Sequence, residues 1–347
     1  MTYVNIASTT INMGGCEESC GFYFIFSLFT FFVWMDLSFF GELADHGSLY
    51  NASSAKYMMF PVKTVKLRMQ DHTSHYINLP LMELADERMG ISSFPGVTPN
   101  LISGVHLFAA VVAAKCMISG SLCVRRLGVL LYEIRYQLDI LDGVVFRAQT
   151  DKKNSYESGF GSFGYLIDAF SDMCGGILMA TACTLFLWHF PPVKRVRVVS
   201  FGSDFRDQEL GRKAILNECS REGEQLVHWN RPAVVVRMVA ATVQLIMRSA
   251  LWDFYLRSYV QLFESRNSNI PKDLQIEVLN YRFTWLVFWL WKVSSADAVI
   301  QFTLMAILFD KLWTWVQILI SLGFIQLITV VLISQLHLIE VRAYLLV

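Results

Sequence analysis

Asp139-Ile140-Leu141-Asp142-Gly143-Val144-Val145-Phe146-Arg147, and then Gly164-Tyr165-Leu166-Ile167-Asp168-Ala169-Phe170-Ser171-Asp172, are the two stretches on which the reading of this chain turns. Each belongs to a long apolar run. Aspartate is expensive inside a bilayer, so it is kept there only with a partner and usually with a function. On a helix Asp139 and Asp142 share a face, and Gly164, Asp168 and Asp172, four apart, form one stripe. Two antiparallel helices joined by residues 148–162 therefore bring four carboxylates to one place. Four such groups cannot all stay ionised without countercharge. Hard divalent cations supply it, and an all-oxygen donor set suits magnesium or manganese better than zinc. Two such ions can hold a diphosphate and stabilise charge on the attacked phosphorus and on the leaving group. Gly143 and Gly164 lack side chains, so a nucleotide can approach the helix backbone. Arg147 offers a planar fork for a phosphate. The competing arrangement neutralises the acids with Arg147, Arg237, Arg248 or Lys292 inside the bundle, but it leaves the regular offsets and the two glycines without a reason.

The rest of the chain has the composition of a membrane protein. Of 347 residues, 54% are hydrophobic and 17% charged, against about 25% charged in soluble domains. The mean hydropathy is +0.42. A net charge of zero removes any bulk electrostatic case for nucleic acid. The apolar runs predict an all-α polytopic protein with seven spans, at about 21–40, 101–123, 127–146, 163–190, 233–260, 283–309 and 312–336. The first has no basic residue ahead of it and no small-residue cleavage site after it, so it reads as a retained span rather than a signal peptide. Residues 1–98 then comprise this span and a polar loop, and 99–347 a six-helix membrane domain.

Within the 41–98 loop, Asp71, His72 and His75 read as solvated residues, with a metal site as the alternative, and Asn51-Ala52-Ser53 is a glycosylation sequon. Cys116, Cys123, Cys174 and Cys183 fall in apolar runs as packing residues. Cys16 and Cys20 leave a disulfide or metal pair open, whereas the lack of any C-x2-C pair removes the case for structural zinc. The segment 191–231, with Lys194, Arg195, Arg197, Arg212 and Lys213, reads as a solvated loop with one amphipathic helix. Basic residues favour the cytosolic side. Placing Arg125-Arg126 and 191–231 there puts the sequon, the 148–162 loop and the aspartates on the lumenal side, although Lys152 and Lys153 then lie there too. Trp285, Trp289 and Trp291 read as interface anchors or as the lining of a lipid groove. Lys292 and Asp297 read as an internal ion pair or as head-group ligands.

At Asp139, Asp142, Gly143, Arg147, Gly164, Asp168 and Asp172 the chain resembles the CDP-alcohol phosphotransferase family, whose signature is D-x2-D-G-x2-A-R followed by G-x3-D-x3-D. The resemblance implies that Asp139, Asp142 and Asp168 bind two metal ions. It implies that Asp172 also lies at the metals and acts as the base on the acceptor hydroxyl. Gly143, Arg147, Gly164 and Asn100 would line the nucleotide site, with Pro99-Asn100 opening a six-span catalytic core over about 99–336. Phe146 departs from the family's alanine. The sixteen residues between Arg147 and Gly164 are about twice the family's usual spacer. This spacer, the extra first span and the inferred lumenal site make the chain most similar to the ceramide phosphoethanolamine synthases within that family. That likeness implies CDP-ethanolamine as donor, ceramide as acceptor, manganese (or magnesium) as cofactor, a Golgi membrane and a homodimer. The alternative is an ethanolamine- or choline-phosphotransferase acting on diacylglycerol at a cytosolic face. A transporter is disfavoured, because its pathway carboxylates would sit at broken helices near the midplane, not at the ends of two helices beside one loop.

Overall fold

The computed structural model describes residues 14–45, 64–150, 163–198, 223–264 and 270–345. A 32-residue helix, α1 (Gly14–Asp45), comes first. A compact run follows: α2 (Val65–Met69), a π-helical turn Ser74–Asn78, and α3 (Leu79–Met89). Then come α4 (Pro99–Met117), α5 (Leu122–Gln149), α6 (Phe163–His189), strands β1 (Val193–Val198) and β2 (Gly223–His228), α7 (Arg231–Phe263), α8 (Lys272–Leu279), α9 (Arg282–Ser294), α10 (Ala296–Leu308) and α11 (Leu312–Leu345).

Five helices among the described residues are long and apolar enough to cross a bilayer: Tyr23–Gly41, Pro99–Met117, Leu166–His189, Arg231–Phe263 and Leu312–Leu345. Their outward faces are apolar, as in α11, where Leu322, Ile325, Ile328, Leu332, Leu336 and Ile339 are exposed along one side. Such a face suits lipid, and helices satisfy their own backbone there. The seven expected spans differ from this set in two ways. The third corresponds to α5, whose 28 residues reach about 42 Å, but Arg125, Arg126, Glu133, Arg135, Asp139, Asp142 and Arg147 keep it below the apolar threshold of the others. The sixth is broken at Ser295 into α9 and α10, Ser295 capping α10 through Ala298 N at 3.2 Å.

Arg248 of α7 meets that break. Its Nη1 donates to the freed carbonyl of Ser294 at 2.7 Å, and its Nη2 donates to Gly323 O at 2.8 Å and Gln326 Oε1 at 3.1 Å. Arg248 is fully buried, and among the described residues no carboxylate pairs with it.

Helix α4 packs against α5 and α6. Ala110, Ala113 and Ala114 are buried at this contact, and at Gly128 an added Cβ would lie 3.0 Å from the Ala113 carbonyl. The short Ile118–Ser121 connection makes α4 and α5 an antiparallel hairpin. Arg125 closes that end by donating to Ser119 O and Gly120 O and by pairing with Asp310 at 2.5 Å. The aspartate motif lies toward the other end.

Residues 64–98 cover the motif's end of the bundle. The expectation of a solvated loop is overturned here, because Arg68, Asp71, Ser74, His75, Tyr76 and Asn78 are all buried. Leu67 and Leu79 pack with Ile102, Leu141, Val144 and Val145 beside the motif. Arg68 donates to Leu279 O and Asn280 Oδ1, and Gln149 Nε2 donates to Val97 O at 2.9 Å. Burial drops the Arg68 guanidinium to about 9.

A polar clasp joins this cap to α1 and α9. Asp36 of α1 accepts from Tyr76 OH at 2.6 Å and Trp289 Nε1 at 2.7 Å, contacts His72 Nε2 at 2.7 Å and lies 3.6 Å from Lys292 Nζ. Lys292 in turn donates to His75 Nδ1 at 2.9 Å and Tyr76 OH at 3.0 Å. Burial first, and then the Lys292 ammonium, hold His75 well below the usual imidazole range, so its ring accepts as the neutral form. Lys292 therefore pairs with Asp36 and not with Asp297, whose Oδ1 accepts from Tyr136 OH at 3.3 Å. The three tryptophans all make contacts within the protein. Trp289 holds Asp36, Trp285 packs on Phe40 at 4.9 Å, and Trp291 is fully buried and donates to Ser334 Oγ at 2.8 Å.

Among the described residues the 191–231 segment contributes an antiparallel pair, Val193 opposite His228 through Val198 opposite Gly223; its central part, 199–222, where the amphipathic helix was expected, lies outside them. Asn51, Lys152, Lys153, Arg212 and Lys213 lie outside the described residues, as do the side chains of Cys16, Cys20, Lys194, Arg195 and Arg197. Cys116, Cys123, Cys174 and Cys183 carry no disulfide.

Candidate metal centre and active site

Three helices supply the site. The α4–α5 hairpin and the antiparallel return of α6 set the N-terminal half of α4 and of α6 against the C-terminal half of α5. Asp139, Asp168 and Asp172 then meet as the helical offsets require. His106 of α4 joins them, and one ligand atom from each of the four lies within 4.8 Å of every other. Carboxylates that close must share a proton or a cation.

Asp142, the remaining motif acid, is buried and accepts from Ser103 Oγ at 2.8 Å. It stands at the edge of the group, where it feels the charges of Asp139, Asp168 and Asp172. Arg147 lies 3.8 Å from Glu83 of α3, turned toward the cap. Gly143 is partly buried, Gly164 is exposed with nothing near its missing Cβ, and Asn100 is exposed in the first turn of α4.

Arg135 is the countercharge that sequence reading missed. Buried on α5 one turn before Asp139, it pairs through Nη2 with Asp172 Oδ1. None of Arg147, Arg237, Arg248 or Lys292 takes that place: Arg147 turns to Glu83, Arg237 donates to Ala233 O, Arg248 meets carbonyls and Lys292 meets Asp36. Gly175 makes room for the guanidinium, since a Cβ there would come within 3.1 Å of Arg135 Nε and Nη2. The signal was present in the spacing, for Arg135, Asp139 and Asp142 share one helical face. Ser103 and His106 likewise form a polar pair, three apart, in an otherwise apolar helix.

The residues fit a divalent cation. His106 is fully buried, and among the described residues neither of its ring nitrogens nor the buried Asp139 Oδ1 has a hydrogen-bond partner. Buried polar atoms are rarely left in that state, and His106 Nε2 lies 4.0 Å from Asp139 Oδ1. A cation between them satisfies both and relieves the repulsion among the acids.

Arg135→Gln is expected to cut turnover about 10²-fold, the scale for losing one positioned electrostatic group, with little change in KM. Steady-state kinetics on the purified variant checks this, and an unchanged kcat would mean that the pairing with Asp172 is not used in catalysis.

The model of the ceramide phosphoethanolamine synthase family matches residues 54–347. The ceramide phosphoethanolamine synthase of Drosophila melanogaster is 29% identical over 282 residues, covering 81% of this chain and 69% of that protein. No solved structure matches the chain. The matched region takes in the cap, the aspartate helices and every element through α11, and the chain belongs to the ceramide phosphoethanolamine synthase family, a membrane-embedded transferase of sphingolipid metabolism with CDP-alcohol phosphotransferase-type chemistry.

Proposed function

We propose that the chain transfers phosphoethanolamine from CDP-ethanolamine to the primary hydroxyl of ceramide, giving ceramide phosphoethanolamine and CMP. The observation that carries this reading is the meeting of Asp139, Asp168 and Asp172 with an unpartnered imidazole at one end of the bundle, in a chain of this family. Asp139, Asp142, Asp168 and Asp172 would hold divalent ions, manganese or magnesium and two in number. Such ions, when bound, neutralise the diphosphate and stabilise the charge that develops on the leaving CMP.

The chain's own residues do the rest. Arg147, Gly143, Gly164 and Asn100 border the nucleotide: the arginine meets a phosphate, and the glycines admit the base and ribose close to the helices. Asp172 takes the proton from the ceramide hydroxyl, whose oxygen attacks the β-phosphorus, and Arg135 fixes the carboxylate's orientation for that transfer. General-base help of this kind contributes about 10²–10⁴-fold. The cap, Leu67 and Leu79 included, keeps water from the attacked phosphorus. Residues 99–347 form the catalytic unit, with α1 and the cap added to it. We place the enzyme in the Golgi membrane as a multi-pass homodimer with the site facing the lumen. The cap and the motif share one end of the bundle, and Arg125 marks the opposite end, in keeping with that orientation.

The test is transfer by purified full-length protein from labelled CDP-ethanolamine in the presence of manganese, with ceramide and diacylglycerol offered together. The expected product is ceramide phosphoethanolamine alone. Product from diacylglycerol alone would overturn the acceptor and, with it, the lumenal orientation.

A further inference from the structure

We infer that His106 is itself a ligand of the bound cation, a nitrogen donor that the aspartate motif does not contain. The inference rests on the reading of this site as a metal centre. A core histidine normally finds a hydrogen-bond partner for at least one ring nitrogen. His106 finds none among the described residues, although it is fully buried. Its Nε2 stands 4.0 Å from Asp139 Oδ1, too far for a hydrogen bond. It is the separation expected of two ligands on one ion, because donors each about 2.1 Å from a shared cation lie about 3 to 4.3 Å apart. A ring nitrogen of His106 also lies within 4.8 Å of a carboxylate oxygen of Asp168 and of Asp172.

Helix α4 thus reaches the centre twice. Ser103 draws Asp142 to the edge by donating to it at 2.8 Å, and His106, one turn on, stands among the remaining acids. The donors grouped around His106 are then three carboxylates and one imidazole, with Asp142 at their edge. Imidazole suits transition metals, whereas magnesium prefers oxygen and keeps its waters. His106 therefore tilts the site toward a transition-metal dication over magnesium. Its removal should narrow that preference without emptying the site.

The test uses the chelator-stripped full-length protein with manganese alone. Electron spin-echo spectroscopy of the wild type is expected to give ¹⁴N modulation from a directly bound imidazole, and the modulation should change to a ¹⁵N pattern when histidine is ¹⁵N-labelled. His106→Gln is expected to lose the modulation and to bind manganese about 10-fold more weakly, with magnesium affinity changed less than about 3-fold. Bound manganese without nitrogen modulation in the wild type overturns the inference, and so does modulation that survives in folded His106→Gln. Asp168→Asn separates this from the wider reading. Manganese affinity unchanged in Asp168→Asn, or absent in the wild type, would remove the metal centre altogether, whereas binding that depends on Asp168 but shows no nitrogen removes only His106.

Discussion

Asp139→Asn is expected to reduce transfer to below about a thousandth of the wild-type rate. Asp139 is the hub of the group: its carboxylate lies within 4.8 Å of a ligand atom of Asp168 and of Asp172, 4.0 Å from His106, and one turn after Arg135 on the same helix. Asparagine keeps the size of the side chain but removes its charge and leaves one ligating oxygen instead of two. A positioned metal contributes several kcal/mol of transition-state stabilisation, and about 4 kcal/mol corresponds to a factor of about 10³. The loss should fall on kcat, because the interaction is made most strongly as charge develops on the leaving group. Labelled product formation by purified Asp139→Asn, matched to wild type in unfolding temperature, checks this. More than a tenth of wild-type turnover would rule out Asp139 as a ligand on which the reaction depends.

Asp36→Ala is expected to lower stability by about 3–5 kcal/mol, the range for removing one partner of a buried ion pair. The change takes an acceptor from Tyr76, Trp289 and His72 together and leaves the Lys292 ammonium buried without its carboxylate. On the usual scale for large domains this moves the unfolding midpoint by roughly 10 °C. Lys292→Met added to Asp36→Ala should recover part of the loss, because it removes the stranded charge, and a double-mutant cycle measures that coupling. The same pair of variants bears on catalysis, since the clasp fixes the cap against the site. An unfolding midpoint for Asp36→Ala within about 2 °C of wild type would mean that α1 is held by its apolar face alone.

The membrane class and the carboxylate group were legible because each depends on local spacing. Asp139 and Asp142 share a face by helical period, Asp168 and Asp172 do the same, and a short loop turns the second helix back on the first. The cap was not legible. Asp71, His72 and His75 look like loop residues until their partners are known, and those partners are far away: Lys292 meets His75 across 217 residues and Trp289 meets Asp36 across 253. No periodicity in 64–78 announces a buried polar cluster. The break at Ser295 was missed for a related reason, as a hydropathy window runs smoothly across Ser294-Ser295 and only the crossing Arg248 reveals the freed carbonyl. Arg135 and His106 were within reach of sequence reading. Each is an ionisable residue inside a span, and Arg135 stands four positions before Asp139.

Arg248 bears on how the chain reaches the bilayer. Its acceptors, Ser294 O, Gly323 O and Gln326 Oε1, lie 46, 75 and 78 residues further along. During synthesis α7 leaves the ribosome before any of them exists. An arginine at the centre of a spanning helix costs about 2.5–3.5 kcal/mol at insertion, so α7 is a reluctant span while it stands alone. Emergence of the α9–α10 break and then of α11 gives the guanidinium its three acceptors and turns that reluctance into a lock. Helix α7 is therefore held in the finished fold by acceptors that the chain supplies only after it.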